Sequence, residues 1–241
     1  SQYRLIASDM LGFGFSDKPK SHTYSINEQA DILESLIQQL GIRRLHVLAH
    51  DYGDTVAQEM LARQLEGTGV GEWLSVCFLN GGLFPETHRA LFIQKLLLSP
   101  LGPLVNALSS KKRFRKALSR TFGPDTQPAD DEISAFWHLI NYNNGKHLFH
   151  NLITYMRERK VYRERWVGAL RDCNVPLALI NGSVDPVSGA HMIEHYRNTI
   201  GELDYLVQLD DIGHYPHVED PQSVIAAYTS FLNENGATAT Q

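Results

Sequence analysis

Three residues far apart in a chain of 241 share one kind of setting, and their types suit hydrolytic chemistry. Asp51 lies in the frame Ala49-His50-Asp51-Tyr52-Gly53, after the apolar run Leu45–Ala49 and before a run of helical spacing, Thr55–Leu65. Small residues two places either side of Asp51 let a strand turn sharply into a helix. The central side chain then projects into a cleft on a strained backbone. The following helix aims its free N–H groups and positive dipole end at that side chain, which favours an ionised carboxylate. A charged, fixed carboxylate can act as a nucleophile. Asp185 follows the apolar run Pro176–Asn181 and is stiffened by Pro186, so it can accept a hydrogen bond from a histidine N–H. His214 follows Tyr205–Leu209, with Gly213 freeing the backbone to turn the imidazole inward. Taken singly, each has a plainer reading: a helix-capping Asp, an Asp-Pro turn, a structural His. The order nucleophile, acid, histidine, each just beyond a strand, is far more specific than any part. Of the two neighbouring histidines, His217 is expected to be the structural or surface one.

The elements that must position these residues alternate in type. Tyr3–Ser8 reads as a buried strand. Ser25–Leu40 carries apolar residues at helical spacing, with Ser25 and Glu28 as an opening cap and Gly41 as a stop. Leu45–Ala49 and Ser75–Asn80 read as strands, with the helix Thr55–Leu65 between them. From Phe84 to Leu170 there is no convincing strand, only helical segments broken by Pro100, Pro103, Gly123, Pro124 and Pro128. Strands return at Pro176–Asn181 and Tyr205–Leu209, with helices at Ala190–Thr199 and Ser223–Leu232. The pattern predicts an α/β fold with a mostly parallel sheet covered on both faces. Its parts are a first core segment, 1–83, a helical lid insertion, 84–170, and a second core segment, 171–241. Ligands of such sheets bind beyond the carboxyl ends of the strands, where Asp51, Asp185 and His214 lie. The polar tail Asn233–Gln241 is expected to be frayed.

A net charge of −5 gives no reason to expect a nucleic-acid partner or an anionic membrane. Cys77 and Cys173 are too few for a disulfide framework and lack metal-ligand spacing, so no metal and no cofactor is expected. Cys77 reads as a core thiol, and sparse cysteines fit a cytoplasmic location. No apolar run is long enough to span a bilayer. Gly12-Phe13-Gly14 has Asp17 where a dinucleotide loop needs its third glycine, so phosphate binding is not expected there. The basic run Lys111–Lys116 reads as the solvated face of a lid helix. A small-molecule substrate is the expected partner, and the oligomeric state stays open.

Three further segments carry a resemblance. Asp9-Met10-Leu11-Gly12-Phe13-Gly14-Phe15-Ser16-Asp17, His50-Asp51-Tyr52-Gly53 and Gly213-His214-Tyr215-Pro216-His217-Val218-Glu219-Asp220-Pro221 resemble signature segments of the α/β-hydrolase superfamily. They match its branch of epoxide hydrolases and haloalkane dehalogenases. The segments Asn80–Arg89 and Arg165–Leu170 are similar to a vertebrate and bacterial subgroup of that branch. The resemblance covers nearly the whole chain. It implies that Asp51 attacks an electrophilic carbon to give an alkyl-enzyme ester, and that His214, oriented by Asp185, activates water to hydrolyse it. The backbone N–H of Tyr52 would serve the oxyanion. Lid tyrosines protonate the leaving alkoxide in such enzymes, and the candidates here are Tyr142, Tyr155 and Tyr162. Glu86 is the alternative for the acid that orients His214, with a plainer role at the lid hinge.

Two departures from the family pattern are visible. The chain opens at what resembles the fourth strand, so the N-terminal strands and the loop supplying a second oxyanion donor are expected to be absent. Tyr52 stands where dehalogenases place a halide-binding Trp, which favours epoxide opening over dehalogenation. The competing expectation is a non-catalytic binding protein that keeps the fold, with a haloalkane dehalogenase or an esterase-type hydrolase as further alternatives. Esterase chemistry is disfavoured because acyl transfer to a carboxylate gives an anhydride.

Overall fold

The computed structural model describes residues 3–236. Four strands, β1 (Arg44–His50), β2 (Glu72–Leu79), β3 (Leu177–Gly182) and β4 (Tyr205–Leu209), form one sheet in the order β1-β2-β3-β4. Every pairing is parallel. The register sets His50 beside Leu79, Leu79 beside Ile180 and Gly182 beside Leu209, so all four strands end on one rim.

The alternation of strand side chains builds two cores. On one face Val76, Phe78 and Leu179 pack with helices α2 (Tyr52–Leu65), α9 (Arg163–Arg171) and α10 (Ala190–Thr199) through Val56, Leu61, Trp166, Leu170, Met192 and Ile193. On the other, Cys77, Leu79, Ala178 and Ile180 pack with α12 (Pro221–Gly236) through Val224, Ala227, Phe231 and Leu232. A parallel sheet buried on both faces follows from near-continuous apolar strands, and β3 is buried at every residue.

Helix α1 (Ile26–Gln39) starts as its cap predicts: Ser25 Oγ accepts from the Glu28 N–H at 3.1 Å. The Glu28 carboxylate turns outward instead, to His22 at 2.8 Å. Ahead of α1, the glycine-bearing loop is locked by Asp9, which accepts from the Phe15 N–H at 2.8 Å. Gly14 is required there, since a Cβ at that position would overlap the Asp9 carboxylate.

Between β2 and β3 the chain is helical: α3 (Phe92–Leu97), α4 (Gly102–Ala107), α5 (Lys111–Leu118), α6 (Asp130–Asn141), a kinked 3-10 stretch (Tyr142–Leu148), α7 (Phe149–Leu152), α8 (Tyr155–Val161) and α9. A short α11 (Pro216–Glu219) precedes α12. The base of the insertion is tied to the core by Glu59 on α2, only 2% exposed. Its carboxylate accepts from Arg63 Nε at 2.9 Å, Arg165 Nε at 2.7 Å and Trp166 Nε1 at 2.8 Å.

Two expectations need correction. Tyr3–Ser8 is not a buried strand: the segment joins no ladder, and Leu5 is 86% exposed. Apolar composition marks a strand only where a neighbour supplies hydrogen bonds, and among the described residues no strand pairs with β1 on the side away from β2. The tail is ordered further than its polarity suggests. Helix α12 continues to Gly236, anchored by buried Phe231 and Leu232, with Asn235 Nδ2 donating to the Phe231 carbonyl at 2.9 Å. Residues 237–241 lie outside the described part. No helix among the described residues is long and apolar enough to cross a membrane.

Candidate active site

Asp51 sits at the corner between β1 and α2 with φ 49° and ψ −107°. A non-glycine residue there is strained by roughly 1–3 kcal/mol, and such strain persists only where surrounding structure enforces it. Here the Asp51 N–H is pinned to the Leu79 carbonyl of β2 at 3.4 Å, and the Asp54 N–H closes back on the Asp51 carbonyl at 3.2 Å. The Tyr52 N–H lies in the first turn of α2, where helical N–H groups lack an intrahelical partner.

His214 reaches the same place from the loop after β4. Its Nδ1 lies 2.8 Å from Asp185 Oδ2, and its Nε2 lies 3.7 Å from Asp51 Oδ2. The first is a hydrogen bond; the second is an ion-pair contact beyond hydrogen-bond length. Asp185 has no solvent-exposed side-chain surface, whereas a third of the Asp51 side chain, 34%, is open. Three further donors satisfy Asp185: Ser188 Oγ at 2.7 Å, the Val187 N–H at 2.7 Å and Asn80 Nδ2 at 3.1 Å.

Glu219 clamps the histidine loop. It accepts from the backbone N–H groups of Gly213 and Tyr215 at 2.9 and 3.0 Å, and from the Gly123 N–H of the insertion at 2.7 Å. The His214 N–H in turn donates to the Thr121 carbonyl at 2.7 Å. Gly213 serves close approach rather than turning freedom: a Cβ there would stand 2.2 Å from that same carbonyl. His50 Nε2 donates to the His214 carbonyl at 2.8 Å, which fixes its tautomer. Its ring packs 4.5 Å from that of His217.

These contacts set the charges. Burial alone would raise the Asp51 pKa, but the His214 imidazole and the Arg159 guanidinium outweigh it and hold the carboxyl below the usual range. Asp185 is likewise lowered, with burial opposing and His214 the strongest favourable partner. For His214, burial opposes the charged form, but the two carboxylates that flank it prevail and push its pKa well up. Burial drives His50 down to about 3, so it stays neutral.

Of the tyrosines, Tyr155 lies at this centre. It is 5% exposed, its ring packs 4.9 Å from that of Tyr52, and Arg159 lies 4.6 Å over its face. Burial, and then the Asp51 charge, raise its pKa. Tyr142 packs on Phe15 and Tyr162 on Trp166, both at the surface. Glu86 bonds Arg163 and His195 beside a surface cavity of about 310 Å³, with no bond to His214.

Sequence reasoning missed Asn80, Asp54 and Arg159. All three are buried beside Asp51 or its partners. The pair Gly81-Gly82 was their signal. A Cβ on Gly81 would stand 1.9 Å from Asp54 Oδ2, and one on Gly82 would stand 2.2 Å from Arg159 Nη1. Each glycine vacates space for a buried polar side chain, a carboxyl at Gly81 and a guanidinium at Gly82.

Residues 1–67 match the family model described as alpha/beta hydrolase fold. The mesoderm-specific transcript protein of Mus musculus is 44% identical over 237 residues, spanning 96% of this chain and 71% of the mouse protein. The chain belongs to the α/β-hydrolase family. Epoxide hydrolase 1 of Caenorhabditis elegans is 42% identical to this hydrolase over 245 residues, covering 97% of the chain and 59% of the worm protein. The haloalkane dehalogenase DbeA loop variant from Bradyrhizobium elkanii superposes with a TM-score of 0.74 at 19% identity, covering 97% of this chain and 81% of that one. That likeness speaks to the fold of the hydrolase.

Proposed function

We propose that this α/β-hydrolase opens an epoxide of a small, mostly apolar substrate, using Asp51 as the nucleophile and a covalent ester as the intermediate. The observation that carries the reading is the series Asp51 Oδ2, His214 Nε2, His214 Nδ1, Asp185 Oδ2, with spacings of 3.7 and 2.8 Å across its two contacts. The nucleophile is a carboxylate kept ionised, so attack needs no base. Asp51 Oδ attacks a ring carbon, the C–O bond breaks, and the electron pair goes to the epoxide oxygen. Tyr155, buried and holding its proton, is the donor to that alkoxide.

The ester then changes the electrostatics. Before attack His214 is a cation between two carboxylates. Once Asp51 is an ester, one of those charges is gone, the imidazole releases its proton more readily, and it becomes a base for water. Hydroxide adds to the Asp51 carbonyl carbon, and the Tyr52 N–H stands at the helix start to receive the oxyanion.

Single turnover in heavy-oxygen water tests this. The expected result is label in the Asp51 carboxylate and none in the first diol formed. Label in that first diol with none on Asp51 means water attacked the substrate directly and overturns the nucleophile. Absence of turnover with any epoxide or haloalkane supports the fold acting as a binding protein.

A further inference from the structure

The guanidinium of Arg159 on α8 is buried next to the strained Asp51 corner, at 2% exposure. Its Nε donates to Thr55 Oγ1 at 2.8 Å, its Nη1 to His88 Nδ1 at 3.3 Å, and its Nη2 to the Asp51 backbone carbonyl at 3.5 Å. All three partners are neutral. No carboxylate oxygen among the described residues is in ion-pair contact with it. A guanidinium carries five N–H donors, so two remain unused, one on each Nη. A buried arginine with a purely structural role is ordinarily paired with a carboxylate or fully bonded.

His88 adds a third unused donor. Arginine can only donate, so His88 Nδ1 must be the accepting nitrogen and the ring proton sits on Nε2. That Nε2 is buried, and the Gln94 side chain near the ring falls short of hydrogen-bond geometry with it. Burial and then the Arg159 charge lower the His88 pKa to about 4, so the ring is neutral and the tautomer persists near neutral pH. The space for this arrangement is made by Gly82, as its Cβ would collide with Arg159 Nη1.

We propose that Arg159, steadied by Thr55 and His88, is an anion site that receives the negative charge leaving Asp51 during the reaction. The inference rests on the nucleophile reading and deepens it. Attack joins Asp51 Oδ to carbon and breaks the bond to the leaving atom, which takes the electron pair. Asp51 becomes a neutral ester, and Arg159 loses the charge that faced it. A compact monoanion, the alkoxide oxygen of an opened epoxide or a halide, restores that balance if it forms against the free Nη and Nε2 donors. Preorganised donors at the point of charge development favour the transition state over the ground state.

Bromide probes the site without turnover. Asp51→Asn removes the competing charge, so the full chain carrying D51N is expected to bind bromide at least tenfold more tightly than the unmodified protein in calorimetry at fixed ionic strength. Adding Arg159→Met to D51N is expected to abolish the gain. If that double variant does not fold, anomalous diffraction from D51N crystals in bromide decides the matter. A peak within hydrogen-bond reach of Arg159 and His88 is expected. Saturating bromide with no peak there, or a D51N affinity indifferent to R159M, overturns the proposal. Label on Asp51 without bromide at Arg159 sinks the anion site alone. Bromide at Arg159 without label on Asp51 sinks the nucleophile and leaves the site standing.

Discussion

Asn80, at the end of β2, binds β3 and Asp185 together: its Nδ2 donates to Asp185 Oδ2 at 3.1 Å and to the Gly182 carbonyl at 3.0 Å, while its Oδ1 accepts from the Gly182 N–H at 2.6 Å. The residue holds a positive φ of 29° to do so. It touches no reacting atom in the proposed mechanism, so its role is positioning. Asn80→Ala is expected to cost about 1.5–3 kcal/mol of stability, the range for hydrogen bonds to a charged group. The pH profile distinguishes positioning from bulk stability. Asp185 titrates below its ordinary value, so its contribution is present above the unfolded pKa and lost as pH falls through the folded one. Without the Asn80 donor that folded pKa rises, and the acid limb of both activity and thermal stability should move to higher pH. An unmoved acid limb in N80A would count against the positioning role.

Gly82 and Gly168 offer a paired test of why glycine stands where it does. A Cβ at Gly82 would meet Arg159 Nη1 at 2.2 Å, and Arg159 is held too firmly to yield without losing Thr55 or His88. Gly82→Ala should destabilise by about 1–3 kcal/mol through overpacking and lower turnover more than stability alone explains. At Gly168, inside α9, a Cβ would point into open space, with nothing within 4 Å. Gly168→Ala should instead stabilise by about 0.5–1 kcal/mol with activity unchanged. Denaturant melts and initial rates on both variants check the pair.

What the sequence disclosed and what it hid divide by range. The strand-turn-helix frame at Asp51, the Asp-Pro turn at 185 and the Gly-His at 213–214 are local signals, and the parallel sheet makes local strand ends share one rim. That much was legible, as was the helical run between β2 and β3. Arg159 was not, because its meaning lies in Thr55, 104 residues away. Glu59 was not, because Trp166 lies 107 residues away. Tyr3–Ser8 failed in the opposite sense: its composition suits a strand, but pairing is a property of two segments and composition describes one.

Glu59 predicts how the insertion is held. Its carboxylate, 2% exposed, satisfies Arg63, Arg165 and the Trp166 indole together. Removing it strips the buried Trp166 N–H of its acceptor, while Arg63 keeps Asp31 and Glu34 and Arg165 keeps Glu66. Glu59→Ala should cost about 1–3 kcal/mol, the range for leaving a buried polar group unsatisfied. Glu66, which meets Arg165 at the exposed end, should be replaceable by Ala with little effect. Equilibrium unfolding of the two variants, with protease sensitivity of the insertion as the second readout, checks the contrast. Similar losses in both would mean the network acts through general surface charge.

Asp54 bears on stability as pH rises. The residue is fully buried, and the Leu79 backbone near its carboxyl falls short of hydrogen-bond geometry. Burial first, then the Asp51 charge, push its pKa well above the ordinary carboxylate value. The folded state therefore holds a proton that the unfolded state gives up near pH 4, the ordinary Asp value being about 3.9. Where the native state binds more protons than the unfolded, stability falls with rising pH. Asp54 thus erodes stability from about that pH upward until its own folded pKa is passed. Asp54→Asn keeps the shape and removes the titration. The variant should match the unmodified protein in acid and exceed it increasingly toward neutral and alkaline pH. Melting temperatures taken in parallel from acid to alkaline buffers give the comparison, and parallel curves for the two proteins would show that Asp54 ionises normally in the fold.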